Sequence, residues 1–441
     1  MLIKFIQRRA MTAFCVLGAV VFSVMPRFSQ ALEYGYTLEY RREQSSNILL
    51  SNINPRRESI DIGRATLYLR ESTSPNVRAN VLAGASYDNY GDNIVADLTR
   101  LNLEAYGNWT IVPETFSWIV EDYYGQTFRN VLQPGTSNNL QNVNVFSTGP
   151  DLNFRINPVN RLFTGFRVGN YYAEQTNIDS NRYFAFAGWH HTVSSTTYVS
   201  LNYTLMRRVF KDTPLLDYDL QNIFFRLESK RTQRSSVAVD LGASHFEPDV
   251  GEPVDAPLAS LLFAYTLPRG ANLKFTANTK LTDASSAILS TGSVNAVTAP
   301  VGNVDSTRIY RLKEVDGSFI QPRSYGTDRV RLFAQRLDYE TVPLDQDRAG
   351  AYADLGLGFT STLSGALFGS YISTHYIDQP VPFIDRDGIV GLRFQYQVRP
   401  QIFLGLEGRR TNRVSSNSTR DYDEDRAILS IAYRSIPFRV D

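Results

Sequence analysis

The chain has 441 residues, with 45 basic and 44 acidic side chains and a formal charge of +1 at pH 7. Residues 1–31 are predicted to be a secretory signal, because a basic start and an apolar run precede small residues at 29–31. Residues 32–441 carry 41 basic and 44 acidic side chains, a net charge of −3. They therefore lack the excess of basic side chains that is typical of a nucleic-acid-binding protein. The single cysteine, Cys15, lies in the predicted signal, so disulfides and cysteine metal sites are excluded from residues 32–441.

Two-residue alternation of apolar and polar side chains recurs along nearly the whole of residues 32–441. Leu101 and Leu103 share one face of a predicted strand, whereas Arg100 and Glu104 share the other. Tyr, Phe, Val and Thr are plentiful, and no sustained helical spacing with caps is found. The clearest alternating runs cover residues 77–87, 100–109, 199–205, 237–244, 273–280 and 402–409.

The predicted connections alternate between short and long. Tight turns are predicted at residues 72–76, 112–115, 157–160, 193–197, 267–272, 360–365 and 398–401. Longer polar loops are predicted at residues 87–97, 125–141, 173–181, 208–217, 246–257, 282–306, 378–387 and 411–425. This alternation is typical of transmembrane barrels, which have brief periplasmic turns and larger outer loops. Counting the runs predicts about 16–20 strands, within the known range of such barrels.

Three observations favour a membrane barrel over a soluble all-β periplasmic protein such as a solenoid or propeller. The export signal directs the chain out of the cytoplasm, and the alternation persists without a composition break that would mark a second domain. Aromatic side chains also flank the apolar runs, as expected of girdles at the lipid headgroups. We therefore predict an all-β fold: a single closed antiparallel transmembrane β-barrel, formed by residues 32–441, in the outer membrane.

Signals for catalysis or metal binding are weak in this sequence. His190 and His191 are adjacent, so on a strand they point to opposite faces and are badly placed to chelate one ion. No G-x-S-x-G nucleophile motif occurs. An acidic cluster at residues 421–425 matches no defined calcium loop and is interpreted as a solvated outer loop. We predict no enzyme activity, no cofactor and no metal site.

Charges on the predicted polar face must point into the barrel, because an arginine facing lipid near mid-bilayer costs about 2–4 kcal/mol. Arginine dominates, since only six lysines occur, and its planar fork pairs with carboxylates and sugar acids. The alternative is that these charges form structural ion pairs. The segment 282–327, which contains Gly317, is a candidate for an infolded constriction loop. The possible lumen-lining residues are Arg100, Glu104, Glu121, Asp240, Lys274, Asp354, Glu407 and Arg409.

Residues 36–51, YTLEYRREQSSNILLS, resemble the start of outer-membrane β-barrels that are associated with exopolysaccharide biosynthesis and PEP-CTERM systems of Gram-negative bacteria. The resemblance is one of layout over residues 32–441. Ser46 and Asn47 stand where an Asp-Asn pair is common in those proteins, and no aromatic residue occupies the C-terminal position. The resemblance implies a role in polysaccharide secretion and no catalytic residues.

The sequence therefore leaves three functions open. The leading prediction is an outer-membrane channel or export component linked to exopolysaccharide. A general or substrate-specific diffusion porin is the second, and a closed structural or interaction barrel at the cell surface is the third. Expected partners are outer-membrane lipid and lipopolysaccharide, the barrel-assembly machinery and polysaccharide-export components.

Overall fold

The computed structural model describes residues 32–130, 132–176, 178–294 and 308–440. The predicted signal and Cys15 lie outside these residues. The described chain forms twenty long strands and a short C-terminal one. The strands are β1 (Leu32–Ser45), β2 (Glu58–Glu71), β3 (Val77–Tyr90), β4 (Leu98–Val112), β5 (Phe116–Phe128), β6 (Leu140–Arg155), β7 (Asn160–Ala173), β8 (Ser180–Ser194), β9 (Thr197–Phe210), β10 (Tyr218–Thr232), β11 (Ser235–Pro248), β12 (Val254–Thr266), β13 (Asn272–Thr282), β14 (Tyr310–Arg323), β15 (Gly326–Tyr339), β16 (Gln346–Gly358), β17 (Leu363–Tyr376), β18 (Phe383–Arg399), β19 (Ile402–Ser415), β20 (Tyr422–Arg434) and β21 (Phe438–Val440).

The helical elements are few and short. One α-helix, α1 (Ala284–Thr291), follows β13, and three 3₁₀ turns lie in the loops at Ser137–Asn139, Pro214–Leu216 and Ser418–Arg420. In the part of the chain that the structure describes, no helix is both long and apolar enough to cross a membrane.

Each of the twenty long strands pairs antiparallel with its neighbours in the chain, and the sheet closes on itself. The closing ladder joins β1 to β20, from Thr37 opposite Arg434 to Ser45 opposite Arg426. Strand β21 extends this seam by pairing with Leu32–Tyr34 of β1. The closed sheet satisfies the backbone of every strand without leaving an edge, which is the requirement for a barrel in lipid. The predicted closed antiparallel barrel is confirmed, with a strand number at the upper end of the predicted range.

The alternation seen in the sequence sorts side chains between the two faces of the wall. Leu38, Leu241 and Leu429 point outward and remain 50%, 59% and 61% exposed, as expected for side chains that contact lipid. Neighbouring residues on the opposite face include buried charges such as Glu43 and Arg208, which are 4% and 0% exposed. The polar face therefore encloses the lumen, and the apolar face forms the outer belt.

The short turns all lie at one end of the barrel and the longer loops at the other. The sequence did not predict the turn at residues 233–234, which contains neither glycine nor proline. There, the Thr232 hydroxyl accepts hydrogen bonds from the backbone amides of Arg234 and Ser235, at 3.2 and 3.0 Å. The turn at 324–325 and the outer loops at 46–57 and 340–345 were also missed. Gly317 lies within β14, opposite Phe275, so its assignment to an infolded loop is wrong.

A band of outward-facing ion pairs lies near the loop end of the strands, beyond the apolar belt. A charged band next to an apolar belt marks the boundary between hydrocarbon and headgroups. Long loops face the cell exterior in such barrels, so this band is the extracellular one. The chain is an outer-membrane β-barrel. The pairs in the band include Arg42–Asp61, Arg207–Asp219, Lys313–Asp338 and Arg410–Asp423.

Candidate functional site: a lumen divided by an infolded segment

The segment that follows β13 turns into the lumen and begins with α1. The Asp283 side chain caps the helix by accepting a hydrogen bond from the Ser286 amide at 2.9 Å. Gly292 ends it in the left-handed conformation, with φ of 72°, and its amide donates to the Ile288 carbonyl. Both ends of this short helix are therefore stabilised locally.

A fully buried ion pair anchors the segment to the wall. The Arg208 guanidinium of β9 lies 3.0 Å from the Asp283 carboxylate, and neither side chain is exposed. Arg208 also donates to the hydroxyls of Ser180 and Ser285, each at 3.0 Å. Burial alone would raise the pKa of Asp283, but Arg208, together with Arg182 and hydrogen bonds from the segment itself, lowers that pKa to about 2. Asp283 is thus ionised at neutral pH, and the pair holds the segment inside the barrel.

From this anchor the segment follows the inner wall toward β4. Its apolar side chains Ile288, Leu289 and Val294 pack against a cluster of Val143, Val145, Tyr171 and Ala173 on β6 and β7. At its far end the Ser293 hydroxyl donates to Glu104 at 2.6 Å. The described part of the segment therefore lies along the inner face of the wall between β9 and β4.

Three of the predicted lumen-lining residues lie on the wall that receives this segment. Glu104 contacts Ser293, as described above. Arg100, on the same face of β4, lies 2.8 Å from the Asp88 carboxylate of β3. Glu121 occupies an inward position on β5, opposite Tyr106 and Ser147 of the two neighbouring strands.

The other five lie elsewhere around the lumen and do not converge on one point. Asp240 of β11 accepts two hydrogen bonds from Arg226, at 2.6 and 2.7 Å, and Lys274 takes an exposed inward position on β13. The remaining three lie on the wall opposite the infolded segment. There Asp354 of β16 binds Arg393, and Glu407 lies 3.4 Å from Arg409 on β19.

The wall opposite the segment, from β14 through β20 to β1, carries rows of arginines and carboxylates. Arg413 contacts Asp387 at 2.6 Å and Asp385 at 3.5 Å. Arg426 bridges Glu43 of β1 and Glu424 of β20, at 2.9 and 2.6 Å. The interpretation of residues 421–425 as a solvated outer loop is wrong for Glu424, which lies in β20 and is 4% exposed. Sequence reasoning missed the other residues, although charges repeating at every second position, such as 385 and 387, are the signal that would have identified them. Within the described residues this half of the lumen is lined by fixed charges of both signs.

A polar cavity of about 490 Å³ lies in this half, near the periplasmic turns. Two of its cations, Arg329 and Arg434, have no carboxylate within 4 Å among the residues that the structure describes. Arg434 instead lies over the Phe403 ring, 4.2 Å from its centroid. The charged residues that line the cavity are Glu39, Arg41, Arg329, Asp354, Arg393, Glu407 and Arg434.

The outer loops narrow the extracellular mouth. Ile48 and Val95, from two different loops, pack inward against Ile60, Ile62 and Tyr90. The loop between β5 and β6 also reaches across the mouth, where the carbonyl of Leu132 accepts a hydrogen bond from Arg420 of the loop before β20. Access from outside is therefore restricted by loops as well as by the infolded segment.

No cluster of three or more potential metal ligands occurs within residues 32–130, 132–176, 178–294 and 308–440. The His245 ring contacts Asp255 at 2.8 Å on the outer face. His191 contacts the Asn160 side chain at 2.9 Å, beside a periplasmic turn. Each of these two histidine rings is therefore hydrogen-bonded to a neighbouring side chain at the surface of the barrel.

Comparisons with known proteins add a likeness of fold. No family model matches the chain, and no curated protein matches it. A ferric enterobactin receptor mutant (PfeA) from Pseudomonas aeruginosa is 8% identical, with a TM-score of 0.46 over 92% of this chain and 80% of that one. OpdQ from the same organism is 11% identical, with a TM-score of 0.40 over 92% of this chain and 99% of that one. At such identities and scores these likenesses carry no argument about function.

Proposed function

We propose that this barrel is a passive channel for small hydrophilic solutes, in which the infolded segment sets the aperture. The observation that carries the proposal is that the infolded segment lies on one side of the lumen and leaves a charged cavity on the other. Residues 283–294 pack on the inner face of the wall from β4 to β9, whereas the opposite wall borders a polar cavity of about 490 Å³ between rows of fixed charges. Pore width and the charges that line a pore decide which solutes pass.

The charged side chains that line the polar cavity favour small anions that also carry hydroxyl groups. Arg329 and Arg434 have no carboxylate partner among the described residues, so their guanidinium groups are available to a passing carboxylate. The paired charges nearby, such as Arg393 with Asp354, offer hydrogen bonds to hydroxyls without adding net charge. Sugar acids and other small hydroxylated carboxylates are the solute class that this lining fits.

Planar-bilayer recording of the purified chain tests the proposal. A steady single-channel current with a modest preference for anions is expected. The double variant Arg329→Glu, Arg434→Glu should shift the reversal potential toward cation preference. The matched control Arg386→Glu, which reverses an exposed arginine on the outward face of β18, should leave it unchanged. Absence of a steady current would contradict the proposal and favour a closed structural barrel.

The eight lumen-lining residues predicted from the sequence can be tested in the same recordings. Charge reversal at Arg100 or Arg409 should change ion selectivity if these residues border the conducting path. A change at Arg409 without one at Arg100 would locate the path on the β14–β20 side, where Arg409 lies.

Export of exopolysaccharide is a narrower form of this function, supported by the resemblance of residues 36–51 to exopolysaccharide-associated barrels. Partnership with polysaccharide-export components belongs to that form of the proposal. Added polysaccharide should then block the single-channel current from the periplasmic side. Free passage of small sugar acids without any block by polysaccharide would favour the diffusion porin.

A further inference from the structure

The outer wall of the barrel has a broad depression of about 940 Å³ over strands β11–β17. Small side chains cause it. Alanines 259, 277, 334 and 349 and Ser373 occupy outward-facing positions on five of these seven strands, where barrel walls usually carry larger apolar groups. Leu241, Leu261 and Val315 stand around these small residues and are 59%, 36% and 49% exposed. The lining is therefore apolar and opens toward lipid.

The extracellular edge of this depression is charged. The Lys313 ammonium lies 3.1 Å from Asp338, and Arg336 contacts the same carboxylate. Arg336 also lies 3.8 Å from Asp347, which stands opposite His375 on the next strand. The side chains of Lys313 and Arg336 remain 50% and 46% exposed, so each cation can accept a further anionic partner. The depression thus pairs an apolar body with a charged edge, at the height of the headgroups, from which Lys313 and Arg336 remain accessible.

We propose that this surface binds a phosphorylated glycolipid with several acyl chains, the chemistry of the lipid anchor of lipopolysaccharide. The six gaps between β11 and β17 span about 29 Å, at about 4.8 Å for each gap. That width exceeds what a two-chain phospholipid covers and suits a row of acyl chains. Lys313 and Arg336 bind the phosphates, while Asp338 and Asp347 hold the two cations in place.

A second copy of the chain fits this surface less well. The wall of another barrel is rigid and only gently curved. It would therefore span the shallow depression without entering it and would leave voids. Flexible acyl chains fill such a space completely, which avoids the loss of contacts that a void imposes. The exposed charges at the edge also match a phosphate layer.

Native mass spectrometry of the purified barrel, incubated with a defined diphosphorylated lipid A in detergent, tests the site. Lipid A is expected to stay bound in preference to phosphatidylethanolamine. Each of Lys313→Gln and Arg336→Gln should lower its affinity about fivefold, the fold-change that corresponds to about 1 kcal/mol for one headgroup-facing cation. The double variant Ala277→Leu, Ala334→Leu should lower it by filling the depression. The controls Arg207→Gln and Ala187→Leu change outward-facing residues of β9 and β8, outside the depression, and should have no effect.

Heat-dependent electrophoretic mobility verifies that each variant is folded before binding is measured. Equal lipid A binding by wild type and by folded depression variants would overturn the proposal, and so would equal binding of dephosphorylated lipid A. Ala334→Cys tests the alternative occupant, because Cys15 is the only other cysteine in the sequence. Disulfide-linked dimers of folded Ala334→Cys in membranes would assign the surface to a second copy. Since all of these residues face lipid, the outcome is independent of the proposed channel.

Discussion

At the scale of single residues, the ion pair of Arg208 with Asp283 anchors the infolded segment to the wall. Both side chains are fully buried and 3.0 Å apart, and Arg208 also donates hydrogen bonds to the hydroxyls of Ser180 and Ser285. A buried pair of this kind contributes little net stability compared with an apolar pair, but removal of one partner leaves an uncompensated charge. The pair therefore specifies where the segment docks.

We expect Arg208→Met to release the segment, because it leaves Asp283 buried without its cation. Loss of one partner of a buried pair typically costs about 3–5 kcal/mol. The single-channel conductance should rise and become noisy, while the barrel itself remains folded. The double variant Arg208→Met, Asp283→Asn should be less perturbed than Arg208→Met, since the buried carboxylate charge is removed together with its closest cation. An unchanged conductance in Arg208→Met would show that the segment is held by its apolar contacts alone.

The low pKa of Asp283 also predicts how docking depends on pH. Its pKa in the folded protein is about 2, below the ordinary value of about 3.9. The stability contributed by the ionised carboxylate is therefore fully present above about pH 4 and is lost as the pH falls from about 4 to 2. Conductance should be constant from neutral pH down to that range and rise below it. A rise already near pH 6 would contradict this assignment and indicate control by another group.

At the scale of elements, the fit of the infolded segment against β5 depends on a glycine. A Cβ atom on Gly125 would come 2.5 Å from the Val294 carbonyl oxygen, so backbone and not a flexible side chain occupies that space. The strand thus presents a flat surface on which the end of the segment rests.

Gly125→Ala is expected to displace residues 293–294 from the wall, at a cost of about 1–3 kcal/mol for overpacking. The hydrogen bond from Ser293 to Glu104 should break, and the conductance should change in the same direction as in Arg208→Met. Gly107→Ala on the neighbouring strand is the matched control, because its Cβ would meet nothing closer than 3.9 Å. If both variants conduct alike, close contact at Gly125 is unimportant for the aperture.

At the scale of the whole molecule, closure of the sheet depends on the last strands. Strand β21 pairs with Leu32–Tyr34, and the Phe438 ring stacks on Tyr34 with centroids 5.2 Å apart. Without β21, the first residues of β1 would have no partner on that side, and unpaired backbone is costly in a membrane.

Truncation after Arg434 should therefore lower the yield of folded barrel more than it changes the properties of the barrels that do form. Refolding into detergent, followed by electrophoresis with and without heating, measures that yield. Phe438→Leu keeps the backbone pairing and removes only the ring stack, so its yield should lie near that of wild type. Equal yields of folded barrel from the chain that ends at Arg434 and from the chain that ends at Asp441 would show that β1 and β20 alone suffice to close the barrel.

The barrel was predictable because its physical cause is local. In a strand, every second side chain faces lipid, so Leu101 and Leu103 alternate with Arg100 and Glu104 whatever the rest of the chain does. The turn at 233–234 was not predicted because it contains neither glycine nor proline. It is stabilised instead by the Thr232 hydroxyl, which accepts hydrogen bonds from two backbone amides of the turn. The extent of β14 was also missed, since Gly317 in its middle suggested a loop.

What the sequence determined by itself is therefore the barrel, its two faces and the inward placement of charge. Only the tertiary structure decided which charges meet. Arg208 and Asp283 lie 75 positions apart in the chain, and Ser293 reaches Glu104 across 189 positions. Alternation has a period of two residues and carries no information about such distances. Closure of the sheet brings these strands around a common axis, and that geometry alone places the infolded segment against one half of the lumen.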